Sequence, residues 1–85
     1  MGQAEASVLR AEFYALPPDA MVDRDTAGAA IYLTRQTMES LAIRGGGPPY
    51  VRVGRRALYC KGDLLAWVSR TGRRVDNTSQ LFPVA

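Results

Sequence analysis

Arginine is the residue of this chain whose type and spacing point most directly to chemistry. Ten of the eleven cations are arginines. The planar guanidinium group can bind a phosphate or the edge of a guanine through two parallel hydrogen bonds. Residues 1–43 carry six acids and three arginines, whereas residues 44–74 hold eight cations and one acid. The sequence therefore predicts a basic pole suited to nucleic acid; a solvated surface or attraction to anionic membranes is the alternative.

A short helix that begins after Thr34 is predicted to lie at the centre of this chemistry. Thr34 is typical of an N-cap for a helix over residues 35–44, and its hydroxyl is also placed to reach a phosphate. Thr37 is expected either to pack or to offer a second phosphate donor. Both threonines are therefore expected to contact the DNA backbone rather than the bases.

The first turn of this helix carries the residues expected to read bases. Arg35 and Gln36 lie where such helices meet base edges, since arginine pairs with guanine and glutamine with adenine. Ser40 shares the face of Gln36, and plain exposure is its alternative. The alternative for Arg35 is an ion pair with Glu39 one turn later, and we expect Glu39 to orient Arg35.

A preceding helix is predicted to form a helix-turn-helix unit with it. Asp23 can cap a helix over residues 24–31, and Tyr32-Leu33 supplies a tight turn. Apolar residues at helical spacing predict the buried faces of the two helices. They are Ala27, Ala30 and Ile31 on the first helix, and Met38, Leu41 and Ala42 on the second.

A glycine stop at Gly45 is followed by the pattern of a small hairpin. Residues 50–53 and 57–60 read as strands around a turn at 54–56, so Arg55 and Arg56 are expected at its tip. Arg52 stands between two valines expected to point inward, which would aim the arginine at DNA. Solvated turn arginines are the alternative.

A third helix is predicted from near Gly62 to a stop at Gly72. Three cations at the ends of elements, Arg44, Lys61 and Arg70, are candidate phosphate contacts. Tyr59 and Trp67 are expected to pack in the core rather than to stack on bases. These elements define a domain over residues 21–70, preceded by a helical arm at 1–20 and followed by a flexible tail at 71–85.

The composition argues against several classes of protein. With no histidine and one cysteine, the chain lacks the residues for a zinc site or a disulfide framework. We find no catalytic constellation, and we expect a non-enzyme without cofactor or small-molecule substrate. Gly45-Gly46-Gly47 lacks the lysine and hydroxyl of a nucleotide-binding loop. No stretch predicts a membrane span or secretory start, so a cytoplasmic bacterial protein is expected.

The order and spacing of these elements resemble a known family. Thr34, Thr37-Met38, Gly47-Pro48-Pro49, Val51-Arg52-Val53-Gly54 and Asp63-Leu64-Leu65-Ala66-Trp67 are similar to the MerR-like winged helix-turn-helix proteins of the excisionase group. The likeness runs from Met21 to Val68. Thr26 replaces the glutamate usual in the first helix, and Leu41-Ala42 stand where an aromatic residue and arginine are usual. The recognition helix is thus less basic than is typical.

The resemblance implies an α+β winged helix-turn-helix with a two-stranded wing that carries Arg55 and Arg56. It further implies a recombination directionality factor, the excisionase of an integrative and conjugative element. Such a protein binds repeats beside an attachment site, in head-to-tail arrays, and bends double-stranded DNA for a tyrosine or serine integrase. A transcriptional regulator and a protein-interaction module are the alternatives. The apolar stretch 81–84 could dock on a neighbouring protomer or the integrase, or be disordered.

Overall fold

The computed structural model describes residues 2–72, which form four helices and a three-stranded antiparallel sheet. In chain order the elements are α1 (Gln3–Ala15), β1 (Met21–Asp23), α2 (Arg24–Ala30), α3 (Arg35–Arg44), β2 (Val51–Val53), β3 (Arg56–Cys60) and α4 (Lys61–Thr71). The predicted α+β class is confirmed. The tail prediction and its apolar stretch fall on residues 73–85, outside the described residues.

The sheet has one strand more than the sequence predicts. Its strand order is β1-β3-β2, and β1 pairs with β3 so that Val22 lies opposite Tyr59. The backbone N–H of Lys61 donates to the carbonyl of Ala20 at 2.9 Å, which extends this pairing past the strand end. The prediction of a two-stranded sheet is therefore incomplete, because three residues are too few to show a periodic pattern.

The first helix packs on α2. Phe13 is fully buried, Arg10 Nε donates to the carbonyl of Ala29 at 2.9 Å, and the Tyr14 hydroxyl donates to Ala30 at 3.1 Å. These contacts hold the predicted helical arm against the domain. Val8 lies on the outer side of the helix and is 56% exposed.

A small core joins all the helices to the sheet. Every helix contributes at least one side chain, and the inner face of the sheet contributes two. The buried cluster consists of Phe13, Val22, Ala27, Ala30, Met38, Tyr59 and Leu64. Leu41 and Ala42, predicted to be buried, are only half-buried. Because the core is small, each of its contacts represents a large share of the stability.

Candidate nucleic-acid interface

A close approach between α2 and α3 sets the geometry of the connecting turn. A Cβ on Gly28 would lie 2.7 Å from the Leu33 carbonyl oxygen and 3.2 Å from Met38 Cγ. The Leu33 N–H also donates to the Gly28 carbonyl at 2.9 Å. Tyr32 completes the turn with a φ of 63°, a left-handed conformation that few residues other than glycine adopt. The turn is therefore tight, and the close approach of its backbone leaves no room for a side chain at Gly28.

The two N-caps form as predicted. Asp23 Oδ1 accepts from the Thr26 N–H at 2.8 Å, and Thr34 Oγ1 accepts from the Thr37 N–H at 3.1 Å. Thr34 also donates its hydroxyl proton to Thr37 Oγ1 at 2.9 Å. The hydroxyls of Thr34 and Thr37 are thus hydrogen-bonded to each other within the first turn of α3, and both residues are exposed.

Arg35 projects from the first turn of α3 between two carboxylates. Its Nε lies 3.0 Å from Glu39 Oε1 and its Nη1 lies 3.3 Å from Asp25 Oδ2. The hydrogen bond to Glu39, followed by the charge of Asp25, raises the pKa of Arg35 above its ordinary value. The side chain nevertheless stays 63% exposed. The anticipated pair with Glu39 is present, and the contact with Asp25 on α2 adds a second one.

The other predicted base-reading residues of α3 differ in accessibility. Gln36 is exposed next to Arg35, whereas Ser40 is half-buried. Ile43 is 86% exposed near the end of the same helix. The surface of α3 that is open to a large ligand is therefore centred on its first turn and on its C-terminal end.

The hairpin places its three arginines in three different settings. Val53 pairs with Arg56, so the turn has only Gly54 and Arg55 between the strands, and the φ of 62° at Gly54 is typical of a type II′ turn. Arg55 occupies the tip as predicted. Arg56 belongs to β3 and not to the turn, which corrects its predicted position.

The strand register also corrects the orientation expected for Arg52. Directly paired residues of antiparallel strands lie on the same face. Arg52 pairs with Ala57, which shares a face with buried Tyr59, whereas the neighbouring valines share the opposite face with Leu58 and Arg56. Val51 and Val53 are more than half exposed, so they are not inward. Arg52 and Arg56 consequently project from opposite faces of the sheet.

The remaining candidate cations divide into two groups. Arg44 and Arg70 are exposed in the last turns of α3 and α4. Trp67 of α4 donates its Nε1 hydrogen to the Gly46 carbonyl, 3.0 Å away, which joins α4 to the loop after α3. These two cations therefore remain available to phosphates.

Lys61 is not available, which contradicts its prediction as a phosphate contact. It is only 9% exposed, and its ammonium donates to the backbone carbonyls of Tyr14 at 3.1 Å and Leu16 at 2.6 Å. The last carbonyls of a helix have no partner within the helix, and a nearby lysine ammonium can donate to them, as Lys61 of α4 does at the C-terminal end of α1. Lys61 therefore fastens the first helix to the fourth.

Arg24 has a positioning role that sequence reasoning missed. Its Nε donates to the Tyr59 hydroxyl at 3.1 Å, and its guanidinium carbon lies 5.5 Å from the centre of the Tyr50 ring. The rings of Tyr50 and Tyr59 are themselves 5.5 Å apart. Arg24 thus joins the start of α2 to the base of the hairpin. No local pattern in the sequence signals this contact, because Arg24 and Tyr59 lie 35 residues apart.

Taken together, these residues offer an exposed, acid-flanked arginine on one helix and further arginines on a hairpin and two helix ends. Such a set can bind phosphates at several points while one guanidinium meets a base edge. Among residues 2–72, no helix is long and apolar enough to cross a membrane. The sequence matches no protein-family model, and a search of curated proteins finds none similar to it.

Proposed function

We propose that this chain is a sequence-specific DNA-binding protein of the winged helix-turn-helix type. In this proposal α3 enters the major groove by its first turn, and the β2–β3 hairpin acts as the wing on the neighbouring backbone or minor groove. The close α2–α3 turn and the N-cap at Thr34 support this proposal. They leave Gln36 and the Arg35 guanidinium exposed at the N-terminal end of α3.

The setting of Arg35 is the observation that carries the proposal. Its Nε and Nη1 are held by Glu39 and Asp25, and its Nη2 has no hydrogen-bond partner among residues 2–72. Two carboxylates make the local charge unfavourable for a phosphate. They also restrict the rotamers of a long side chain, which favours a directional contact with the O6 and N7 acceptors of guanine. A guanine contact in the major groove therefore suits Arg35 better than a backbone contact.

A steep salt dependence of binding to duplex DNA is the direct test. If Arg44, Arg55, Arg56 and Arg70 each neutralise a phosphate, log K should fall against log salt with a slope of about −3.6. The test measures this slope by fluorescence anisotropy on a duplex selected from a random pool. Binding that is weak and insensitive to salt would instead support a protein-interaction module with an acidic partner.

Sequence choice should depend on α3 and overall affinity on the hairpin. Arg35→Ala or Gln36→Ala should reduce the preference for the selected duplex over a scrambled one by about 1–3 kcal/mol. Arg55→Ala is the matched control, since a backbone contact weakens both duplexes alike. Equal losses on both duplexes for Arg35→Ala would refute base reading by Arg35.

We further infer that DNA binding serves site-specific recombination, as in excisionases. The support is the resemblance of the stretch from Met21 to Val68. Several copies bound to repeats near an attachment site would bend the DNA for an integrase. Such bending costs on the order of 1–6 kcal/mol per site, which the contacts of an assembled array could offset.

Excision and transcription are separated by two measurements on the mobile element that carries the gene. Deletion should abolish excision of the element while leaving its transcripts unchanged, and circularly permuted fragments of the attachment site should reveal a bend. A change in transcripts without loss of excision would assign the protein to promoter regulation instead.

A further inference from the structure

A polar groove lies between the first half of α1 and the start of α3. Its volume is about 920 Å³. Side chains from both helices and from the α2–α3 turn form its walls. The lining includes Gln3, Ser7, Arg10, Tyr32, Arg35 and Gln36. The groove therefore adjoins the part of α3 that is proposed to read bases.

The side of α1 that borders this groove is polar and is held in place. Gln3, Ser7 and Arg10 are spaced at i, i+4 and i+7, which places them on one face of the helix. Tyr14 continues this face one turn later, and its hydroxyl donates to the Ala30 carbonyl at 3.1 Å. The polar face of α1 is thus anchored to the end of α2.

Arg10 is the cation that α1 contributes to this groove. Its Nε donates to the Ala29 carbonyl at 2.9 Å, and its guanidinium carbon lies 3.7 Å from the centre of the Tyr32 ring. Among residues 2–72, its Nη1 and Nη2 have no hydrogen-bond partner and it forms no ion pair. Two contacts therefore fix the guanidinium plane, while two terminal donors remain for a bidentate acceptor.

We propose that Arg10 binds a phosphate of the DNA strand that runs beside the first turn of α3, so that α1 is part of the DNA interface. This inference rests on the proposed function. An α-helix about 10–12 Å across fills a major groove about 12 Å wide, so a phosphate strand lies along each of its sides. The polar groove runs along one side of the first turn of α3, and a strand there meets α1.

The charges around the two arginines of the groove divide their roles. Arg35 is held between carboxylates, which favours a guanine edge over a phosphate. Arg10 has no such partner among residues 2–72, so its guanidinium suits an anion. Glu5 also lines the groove and repels a phosphate near the start of α1. Arg10 lies about 7.5 Å further along the helix axis, so the phosphate contact is favoured at that end.

The salt dependence of binding tests this contact by loss. Arg10→Gln should lower the magnitude of the salt slope by about 0.9, and it should weaken the selected and the scrambled duplex alike. A purely structural role for Arg10 would change the free energy of unfolding and leave the slope as it is. Both quantities are therefore measured on the same variant.

A gain of charge tests the same surface without removing any contact of Arg10. Ser7 is exposed one turn before Arg10 on the same face, so Ser7→Lys should increase the magnitude of the slope by about 0.9. Val8→Lys is the matched control, since it adds the same charge at the next residue. Val8 is 56% exposed and does not line the groove, so this variant should keep the slope of the unmodified chain.

The possible failures are distinguishable. Salt-dependent duplex binding whose slope is unchanged in both Arg10→Gln and Ser7→Lys would overturn this inference and leave the proposed function intact. Equal slopes for Ser7→Lys and Val8→Lys would also overturn it, because net charge alone would then explain the gain. An unmodified chain that does not bind duplex DNA would overturn the inference together with the proposed function.

Discussion

Lys61 provides the sharpest test of how this small protein is held together. Its ammonium is buried and donates to the carbonyls of Tyr14 and Leu16, near the C-terminal end of α1. Replacing it in Lys61→Met keeps most of the apolar stem but removes both donors. The two partly buried carbonyls then lack these donors. We expect α1 to detach more readily, and the whole domain to lose stability.

The size of the effect follows from these two hydrogen bonds. A buried acceptor without a donor costs about 1–3 kcal/mol, so two of them cost about 2–6 kcal/mol. The variant recovers part of this, because it no longer buries a charged group. We therefore expect a net loss of about 2 kcal/mol, which corresponds to a drop in Tm of about 8–16 °C for a domain of this size. The total free energy of unfolding of an 85-residue domain is only about 4–13 kcal/mol.

The assay is urea unfolding followed by circular dichroism and by the fluorescence of Trp67. Arg70→Met, an exposed cation on the same helix, is the control and should change the free energy of unfolding by less than about 0.5 kcal/mol. An unchanged midpoint for Lys61→Met would refute the reasoning. Weaker DNA binding at an unchanged free energy of unfolding would also refute it, because it would indicate that Lys61 contacts a phosphate.

Three further substitutions test the turn, the cap and the hairpin. Gly28→Ala should destabilise the fold by about 1–3 kcal/mol, because its methyl group would meet the Leu33 carbonyl; urea unfolding measures this. Thr34→Ala should cost about 1 kcal/mol in the same assay, through the lost N-cap of α3. Arg55→Ala should lower the magnitude of the salt slope of DNA binding by about 1. An unchanged slope would show that the hairpin tip does not contact DNA.

The helices were predictable because their signals are local. The bounds of α3 follow from Thr34 at its start and Gly45 at its end, and α2 begins after Asp23 as expected. Each cap depends on residues three positions apart, so no tertiary contact is needed to read it. The end of α1 is also set locally, because Pro17-Pro18 follow it and a proline disfavours helical backbone at the residue before it.

The misjudged residues depend on pairing and packing that no local pattern specifies. Lys61 is buried only because α1 ends above it, 45 residues away in the chain. The face of Arg52 depends on strand register, and a shift of one residue reverses every side chain. Asp25 reaches Arg35 only once the two helices fold together. Sequence alone therefore identified the charged residues but not the direction in which each charge points.

Tyr32 has a consequence for how the first helix relates to the rest of the molecule. It adopts a left-handed backbone conformation, and the guanidinium of Arg10 stacks over its ring at 3.7 Å from the centre. The strain of this turn, on the order of 1 kcal/mol, is opposed by a stacking contact of similar size. A protein shortened to the segment from Met21 onward would lack Arg10 and therefore this stacking contact. Such a fragment should relax at Tyr32 and alter the angle between α2 and α3, so the N-terminal helix acts as a brace for the turn.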